Sequence, residues 1–323
     1  MAPQPNLVLT LTMNPSLDKS TETGRVSPNR KLRCQGILQE PGGGGINVSR
    51  VLRRLGQSTT AAYVCGGARG NELARLLEEE DVAQCPIPIE SPIRESLMVM
   101  ETISNQQYRF SFPGPRLEAS EVERCIAAMR ALAPESRVIV LSGSLPPGVP
   151  SSFYGRLITE LASENRAVVL DTSGEALKEA LGSPVFLIKP NLGEFEDLVG
   201  KSLPDDRAIA DAARRLIDES SVEHVVVSLG AGGVAVSWGD RFERIASPTV
   251  PIRSRVGAGD SAVAGMAYGL AHKMNVYEAA QLGVAAGAAT VMSPGTHLCR
   301  SSDVERLYRD MTGRVLSERG RSG

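Results

Sequence analysis

Arg137-Val-Ile-Val-Leu-Ser142, a helical stretch over 153–163, then Ala167-Val-Val-Leu-Asp171 read together as one β-α-β unit. Both apolar runs are short, β-branched and nearly unbroken, as strands covered on both faces should be; a strand with one wet face would alternate. The rhythm extends in both directions. Further runs of this kind lie at 6–12, 185–189 and 224–228, each closed by a polar or glycine-rich loop. Helical stretches are expected over 47–55, 71–80, 120–132, 208–218, 260–273, 276–291 and 302–318, and Ser120 and Glu123 have the spacing of a capping box. Strands alternating with helices predict an α/β fold around a mostly parallel sheet.

Two segments break this alternation. Residues 31–40, and the pair 96–103 and 108–112 joined by Ser-Asn-Gln, read as strands of an accessory antiparallel sheet. Excursions near the carboxyl ends of core strands form lids over the ligand crevice. With no linker and no fixed repeat, residues 1–323 are expected to form one domain with lid segments about 14–40 and 94–113. On 96–103, apolar side chains occupy both alternating sets, so a face bearing Met98 and Met100 is expected to stay open and to pair with a second copy.

Composition narrows the function. The 323 residues are 42% hydrophobic, and 35 Lys and Arg against 37 Asp and Glu leave a net charge of −2, no field for nucleic acid or an anionic membrane. The small-apolar stretch 282–292 is about half the roughly 20 residues a membrane helix needs. Residues 1–13 hold no Lys or Arg, unlike an export signal, and the 5 scattered cysteines, without a C-x-x-C, suit reduced thiols; a cytoplasmic protein is expected. Three histidines far from any cysteine make no zinc constellation and give little material for a Ser-His-Asp triad.

The chemistry is concentrated in a few loops. Arg255-Val-Gly257-Ala-Gly259-Asp260 leads straight into a helix, so backbone N–H groups at the positive end of the helix dipole can make an anion hole. Asp260 in the first turn can take a proton from an acceptor hydroxyl while those amides stabilise a phosphoryl group in transit. In Pro41-Gly-Gly-Gly-Gly45-Ile-Asn47, four successive glycines before a helix call for close approach to the backbone. Neither a dinucleotide fingerprint nor a Walker A loop fits that run. Asn191 and Glu194, three apart, suit hydrated Mg²⁺ or equally an N-capped surface helix. Ser228-Leu-Gly230-Ala-Gly232-Gly233 ends a buried strand as a candidate nucleotide loop, or as a simple hairpin, and Asp18 follows the first strand at the ligand-binding end of the sheet.

In order, Asn14-Pro15-Ser16-Leu17-Asp18, the run 42–47, Ser142-Gly-Ser144-Leu-Pro-Pro-Gly148, Lys189-Pro-Asn191-Leu-Gly-Glu194, Ser228-Leu-Gly230 and Gly257-Ala-Gly-Asp260 resemble the signatures of the phosphofructokinase-B branch of ribokinase-like sugar kinases, over essentially the whole chain. The resemblance implies a Rossmann-type doubly wound sheet with a small discontinuous β lid, ATP and Mg²⁺ as cofactors, and a homodimer through the lid. It implies Asp260 as base and Gly257, Ala258 and Gly259 as the anion hole. Asp18, Gly43, Gly44, Asn47 and Ser144 become sugar contacts, and Lys189, Asn191, Ser228, Gly230 and Gly233 ATP contacts. Asn191 and Glu194 organise Mg²⁺ through water, and Ser254, Val256, Thr290, Ser293 and Gly295 fall where some members bind K⁺. Lys31, Arg33 and Arg94 suggest an acceptor that already carries a phosphate. Gly44, where kinases of fructose 1-phosphate usually have Lys, favours fructose 6-phosphate as acceptor and fructose 1,6-bisphosphate as product, with fructose 1-phosphate and tagatose 6-phosphate as alternatives.

Overall fold

The computed structural model describes residues 7–163 and 166–316. In chain order it forms β1 (Leu7–Thr12), β2 (Ser16–Thr23), β3 (Gln35–Gly42), α1 (Gly44–Arg54), β4 (Thr59–Cys65), α2 (Gly67–Glu79), β5 (Ala83–Pro88), β6 (Arg94–Glu101) and β7 (Gln106–Ser111). Next come α3 (Ala119–Leu132), β8 (Ser136–Ser142), α4 (Phe153–Leu161), β9 (Ala167–Asp171), α5 (Gly174–Ala180), β10 (Val185–Ile188) and α6 (Leu192–Val199). The chain continues through α7 (Asp206–Glu219), β11 (Val222–Ser228), β12 (Val234–Trp238), β13 (Arg241–Ile245), α8 (Ala258–Ala271), α9 (Val276–Val291) and α10 (Ser301–Thr312).

Nine strands make the main sheet in the order β13-β12-β11-β10-β9-β8-β1-β4-β5. The pairs from β11 through β5 are parallel, and β12 and β13 add an antiparallel edge. Successive strand residues point to opposite faces. Leu9, Leu11, Ile139, Leu141, Val168 and Leu170 therefore pack against helices α2 to α7, while Val8, Val138, Val140 and Val169 pack against α1, α8, α9 and α10. The doubly wound α/β expectation holds. Among the described residues no helix is long and apolar enough to cross a membrane.

Several elements depart from the sequence reading. β4, with the alanines of Thr-Thr-Ala-Ala-Tyr-Val-Cys, and β5, with Pro86 and Pro88, carry weak strand signals; tertiary pairing makes them strands, β5 at the edge where proline is tolerated. The capping box of α3 is Glu118 with Glu121, two residues earlier than expected. α10 ends at Thr312 because Gly313 takes the left-handed conformation; residues 317–318 of the expected helix, like residue 6 of the expected first strand, lie outside the described residues.

The lid is a separate four-stranded sheet, β3-β2-β6-β7, with β2 and β6 parallel at its centre. Residues 31–34 precede the strand, which begins at Gln35. Asp18 pairs with Ser96 and Ser20 with Met98, so the even-numbered residues of β6 share the face of Asp18. Met98 accordingly packs against Gly295 and lines the cavity under the lid, which corrects the expectation of an open face bearing Met98 and Met100. The other face carries Leu97, the buried Val99 and the exposed Phe110, and among the described residues most exposed large hydrophobic side chains, Leu32, Ile37, Leu38, Ile103, Phe110 and Phe112, lie on lid segments.

Candidate active site

The site opens where the strand order reverses. From β1 the chain steps out to β4 and β5, then returns on the other side of β1 as β8, leaving a crevice at the carboxyl ends of β1 and β8. α1 starts inside it, so close to β8 that a Cβ on Gly44 would fall 2.2 Å from Ser142 Oγ. Gly43 and Gly44 line the cavity, and the run is also needed to seat the chain against its own strands. One turn into α1, Asn47 Nδ2 donates to Asp260 Oδ2 at 2.8 Å.

Asp260 occupies the first turn of α8. Its N-cap Gly257 has φ 73°, and a Cβ there would meet the Leu298 side chain at 2.6 Å, so only glycine allows this entry into the helix. The N–H groups of a first turn have no acceptor within their own helix. Gly257 and Asp260 line the cavity, beside Asn47. Burial, and next the Asp171 carboxylate, push Asp260 up to about 6, while the Asn47 hydrogen bond and the Lys189 charge pull it down. A carboxylate with such a value is ionised at neutral pH and basic enough to accept a hydroxyl proton.

Lys189 is buried where β10 ends, with Nζ 3.0 Å from Asp171 Oδ1; Ser142 Oγ donates to the other oxygen of Asp171 at 3.2 Å. Burial works against the ammonium, but Asp171, Asp260 and Glu194 hold its pKa above the ordinary value. Asn191 and Glu194 form a reciprocal capping box on α6, each side-chain oxygen accepting the other's backbone N–H at 2.9 Å. The surface-cap alternative is thus realised, and both groups keep further lone pairs for a hydrated ion. Ser228 N–H donates to the Pro190 carbonyl, which sets the 228–233 loop beside Asn191, with Gly230 exposed and Gly233 pressed against the Ile245 carbonyl.

At the lid end, the Asp18 carboxylate packs against Gly42 and accepts from Ser16 Oγ at 2.5 Å; burial pushes its carboxyl up, and the Ser16 bond and Arg94 moderate the shift. Arg94 is bonded to neutral acceptors, the Asn14 carbonyl and the Ser96 and Ser111 hydroxyls, at 3.2, 3.3 and 3.0 Å. Burial works against its charge, and Asp18 favours it. Arg109, directly opposite Met98, lines the same cavity. Lys31 and Arg33 do not: both are exposed on the loop joining β2 to β3, beyond the Glu22–Gln35 pair, and Glu22 is about 13 Å along the strand from Asp18. Ser144 stands just outside, accepting from Asn14 Nδ2 at 3.1 Å.

The K⁺ set assembles only in part. Around the end of α9, Arg253 N–H and Ser254 N–H both donate to the Val291 carbonyl, Ser254 Oγ accepts from Val256 N–H, and Ser293 N–H donates to the Thr290 carbonyl. Thr290 Oγ1, however, is engaged with Ser261 and Cys299, and Gly295 faces Met98 and Ser20 of the lid. Among the described residues no group of three or more His, Cys, Asp and Glu could hold a metal ion, so Mg²⁺ has no all-protein cage here and fits as an ion shared with water and nucleotide phosphates near Glu194 and Asp171.

One cavity is lined by a carboxylate in the first turn of a helix and by two lid guanidinium groups, a set suited to phosphoryl transfer, and residues 6–303 match the pfkB family of carbohydrate kinases. The chain belongs to that family. It is 40% identical to the ATP-dependent 6-phosphofructokinase isozyme 2 of Mycobacterium tuberculosis (strain H37Rv), over 93% of this chain and 88% of that one. It is 38% identical to the enzyme of the same name from Escherichia coli K12, over 93% and 97%. The solved structure of phosphofructokinase-2 from Escherichia coli in complex with potassium superposes with a TM-score of 0.89 at 36% identity, covering 94% of this chain and 99% of that one.

Within this pfkB kinase, sequence reasoning missed Asp171 and Thr296. Asp171 had a signal, a charged residue closing a buried apolar strand. Thr296 had none, because only the course of the loop after α9 brings it to the cavity.

Proposed function

We propose that this kinase is an ATP-dependent 6-phosphofructokinase that transfers the γ-phosphoryl group of ATP to the 1-hydroxyl of fructose 6-phosphate. One observation carries the reading: a single cavity has Asp260 and the head of α8 at one end and the guanidinium groups of Arg94 and Arg109 at the other. A desolvated Arg94 bonded to neutral acceptors is a seat for an anion, so the acceptor already bears a phosphate.

Asp260 takes the proton of the acceptor hydroxyl as that oxygen bonds to the γ-phosphorus and the bond from the γ-phosphorus to the bridging oxygen breaks. The N–H groups of Gly257, Ala258, Gly259 and Asp260, with Lys189 beside Gly259, stabilise the charge spread over the transferring group. Glu194 and Asn191 would hold a hydrated Mg²⁺ through its water, and the ion would supply charge to neutralise the nucleotide phosphates; Lys189, Ser228, Gly230 and Gly233 border the nucleotide. Asp18 and Asn47 accept and donate to sugar hydroxyls, and the closed lid excludes water. A lysine in place of Gly44 would have no room beside Ser142 as it stands, which supports fructose 6-phosphate over fructose 1-phosphate. K⁺ at the end of α9 is supported by the potassium complex of the Escherichia coli relative. The outer lid face pairs two copies into a homodimer, and the free cysteines suit a cytoplasmic enzyme.

An ADP-release assay with fructose 6-phosphate, tagatose 6-phosphate, fructose 1-phosphate and fructose tests the reading. The highest kcat/KM is expected with fructose 6-phosphate; a preference for unphosphorylated fructose would remove Arg94 and Arg109 from recognition and overturn the assignment.

A further inference from the structure

We infer that Arg50 is a positioning residue for phosphoryl transfer, its guanidinium fixing which end of the Asn47 amide faces Asp260. The inference rests on the reading of Asp260 as base.

Arg50 lies one turn after Asn47 on α1 and is among the largest fully buried side chains. Its donors are spread over four partners. Nε and Nη2 donate to the Glu80 carboxylate at 2.9, 3.1 and 2.5 Å, Nη2 also to Glu40 Oε1 at 3.1 Å, and Nη1 to the Pro41 carbonyl at 2.9 Å and to Asn47 Oδ1 at 3.4 Å. The shape of an amide does not say which end is oxygen; its neighbours decide. A guanidinium only donates, so it takes Oδ1, and an ionised carboxylate only accepts, so Asp260 takes Nδ2. Without the guanidinium the amide is free to turn over and offer its oxygen to a protonated Asp260, the state in which the base cannot work.

The same cation organises the surrounding loop. The Pro41 carbonyl immediately precedes the glycine run, and the second oxygen of Glu40 accepts from Thr296, which lines the cavity. His297 stands 3.4 Å from Glu40, and Arg54 reaches Glu80 at 3.3 Å. A buried Arg between carboxylates carries a desolvation cost that an apolar residue of similar volume avoids, so stability alone gives little reason for Arg50, whereas the geometry it imposes on Asn47 does.

A double-mutant cycle tests this. Lysine at 50 keeps a charge between Glu40 and Glu80 but cannot reach Pro41 and Asn47 as well. Arg50→Lys is expected to lower kcat about tenfold, the order of one lost hydrogen bond to a charged group, with the KM for ATP within about twofold of wild type. In the Asn47→Ala background the same substitution is expected to cost little more, because its route to Asp260 is already gone. An equal loss in both backgrounds, or no loss in the wild-type background, overturns the inference. If Arg50→Lys loses its cooperative melt, the Arg50→Met/Glu40→Gln variant, which removes one charge of each sign and leaves the Arg54–Glu80 pair in place, is used in both backgrounds, and the same two results overturn the inference. Asp260→Asn is measured alongside: full activity there overturns the base assignment and this inference together, whereas an additive cycle with inactive Asp260→Asn overturns only the role of Arg50.

Discussion

Lys189 Nζ lies 3.0 Å from Asp171 Oδ1, and this pair stands beside the first turn of α8, where each partner acts on Asp260 with the opposite sign. Asp171 raises the pKa of the base and Lys189 lowers it, and with burial the result is about 6. Asp260 works ionised, so kcat/KM for the sugar phosphate is expected to fall as pH drops through about 6. Lys189→Met removes the charge that favours ionisation, and the acid limb is expected to move to higher pH. A pH–rate series from about pH 5 to 9 shows it, and an acid limb unmoved in Lys189→Met would separate the lysine from the base.

Arg94→Ala and Arg109→Ala are each expected to raise the KM for the phosphosugar far more than that for ATP. One charge-assisted bond to phosphate contributes about 1.5–3 kcal/mol, which is roughly 10- to 150-fold in affinity. Steady-state titration of both substrates checks it, and parallel changes in the two KM values would mean that the arginines shape the lid without touching phosphate.

Gly44→Ala puts a methyl group 2.2 Å from Ser142 Oγ and is expected to lower both the melting temperature and kcat, since α1 must back away from β8 and carry Asn47 with it. Overpacking of this kind costs about 1–3 kcal/mol. Adding Ser142→Ala removes the nearest clashing atom, so the double variant is expected to recover part of the lost stability; no recovery would place the strain elsewhere.

The outer lid face predicts the assembly. Ile37 is 74% and Phe110 48% exposed, too much apolar surface on one small sheet for a lone copy. Ile37→Glu/Phe110→Glu is expected to shift sedimentation toward monomer and lower activity, while Met100→Glu, on the face with Asp18, acts without that shift. A wild-type protein that sediments as a monomer at working concentration would end the dimer proposal.

The sequence by itself determined the doubly wound core and most of the loops that gather at its carboxyl edge. Strands covered on both faces declare themselves as unbroken apolar runs such as Val138 to Leu141, and the loops that follow them must carry the ligand because the carboxyl ends of parallel strands open together. Asp260, Asn47, Gly44 and Lys189 were legible for that reason: each lies next to a local signal, a glycine run or the end of a strand. Only the tertiary structure decided the lid and its charges. Strand alternation leaves open which of two apolar sets faces inward until a partner strand fixes the register, so Met98 went under the lid and Leu97 outside it. For the same reason Arg109 reached the cavity while Lys31 and Arg33 stayed out, and Arg50, an ordinary helix charge in the sequence, became the buried hub between Glu40, Glu80 and Asn47. These are contacts between residues distant in the chain, and no local pattern encodes them.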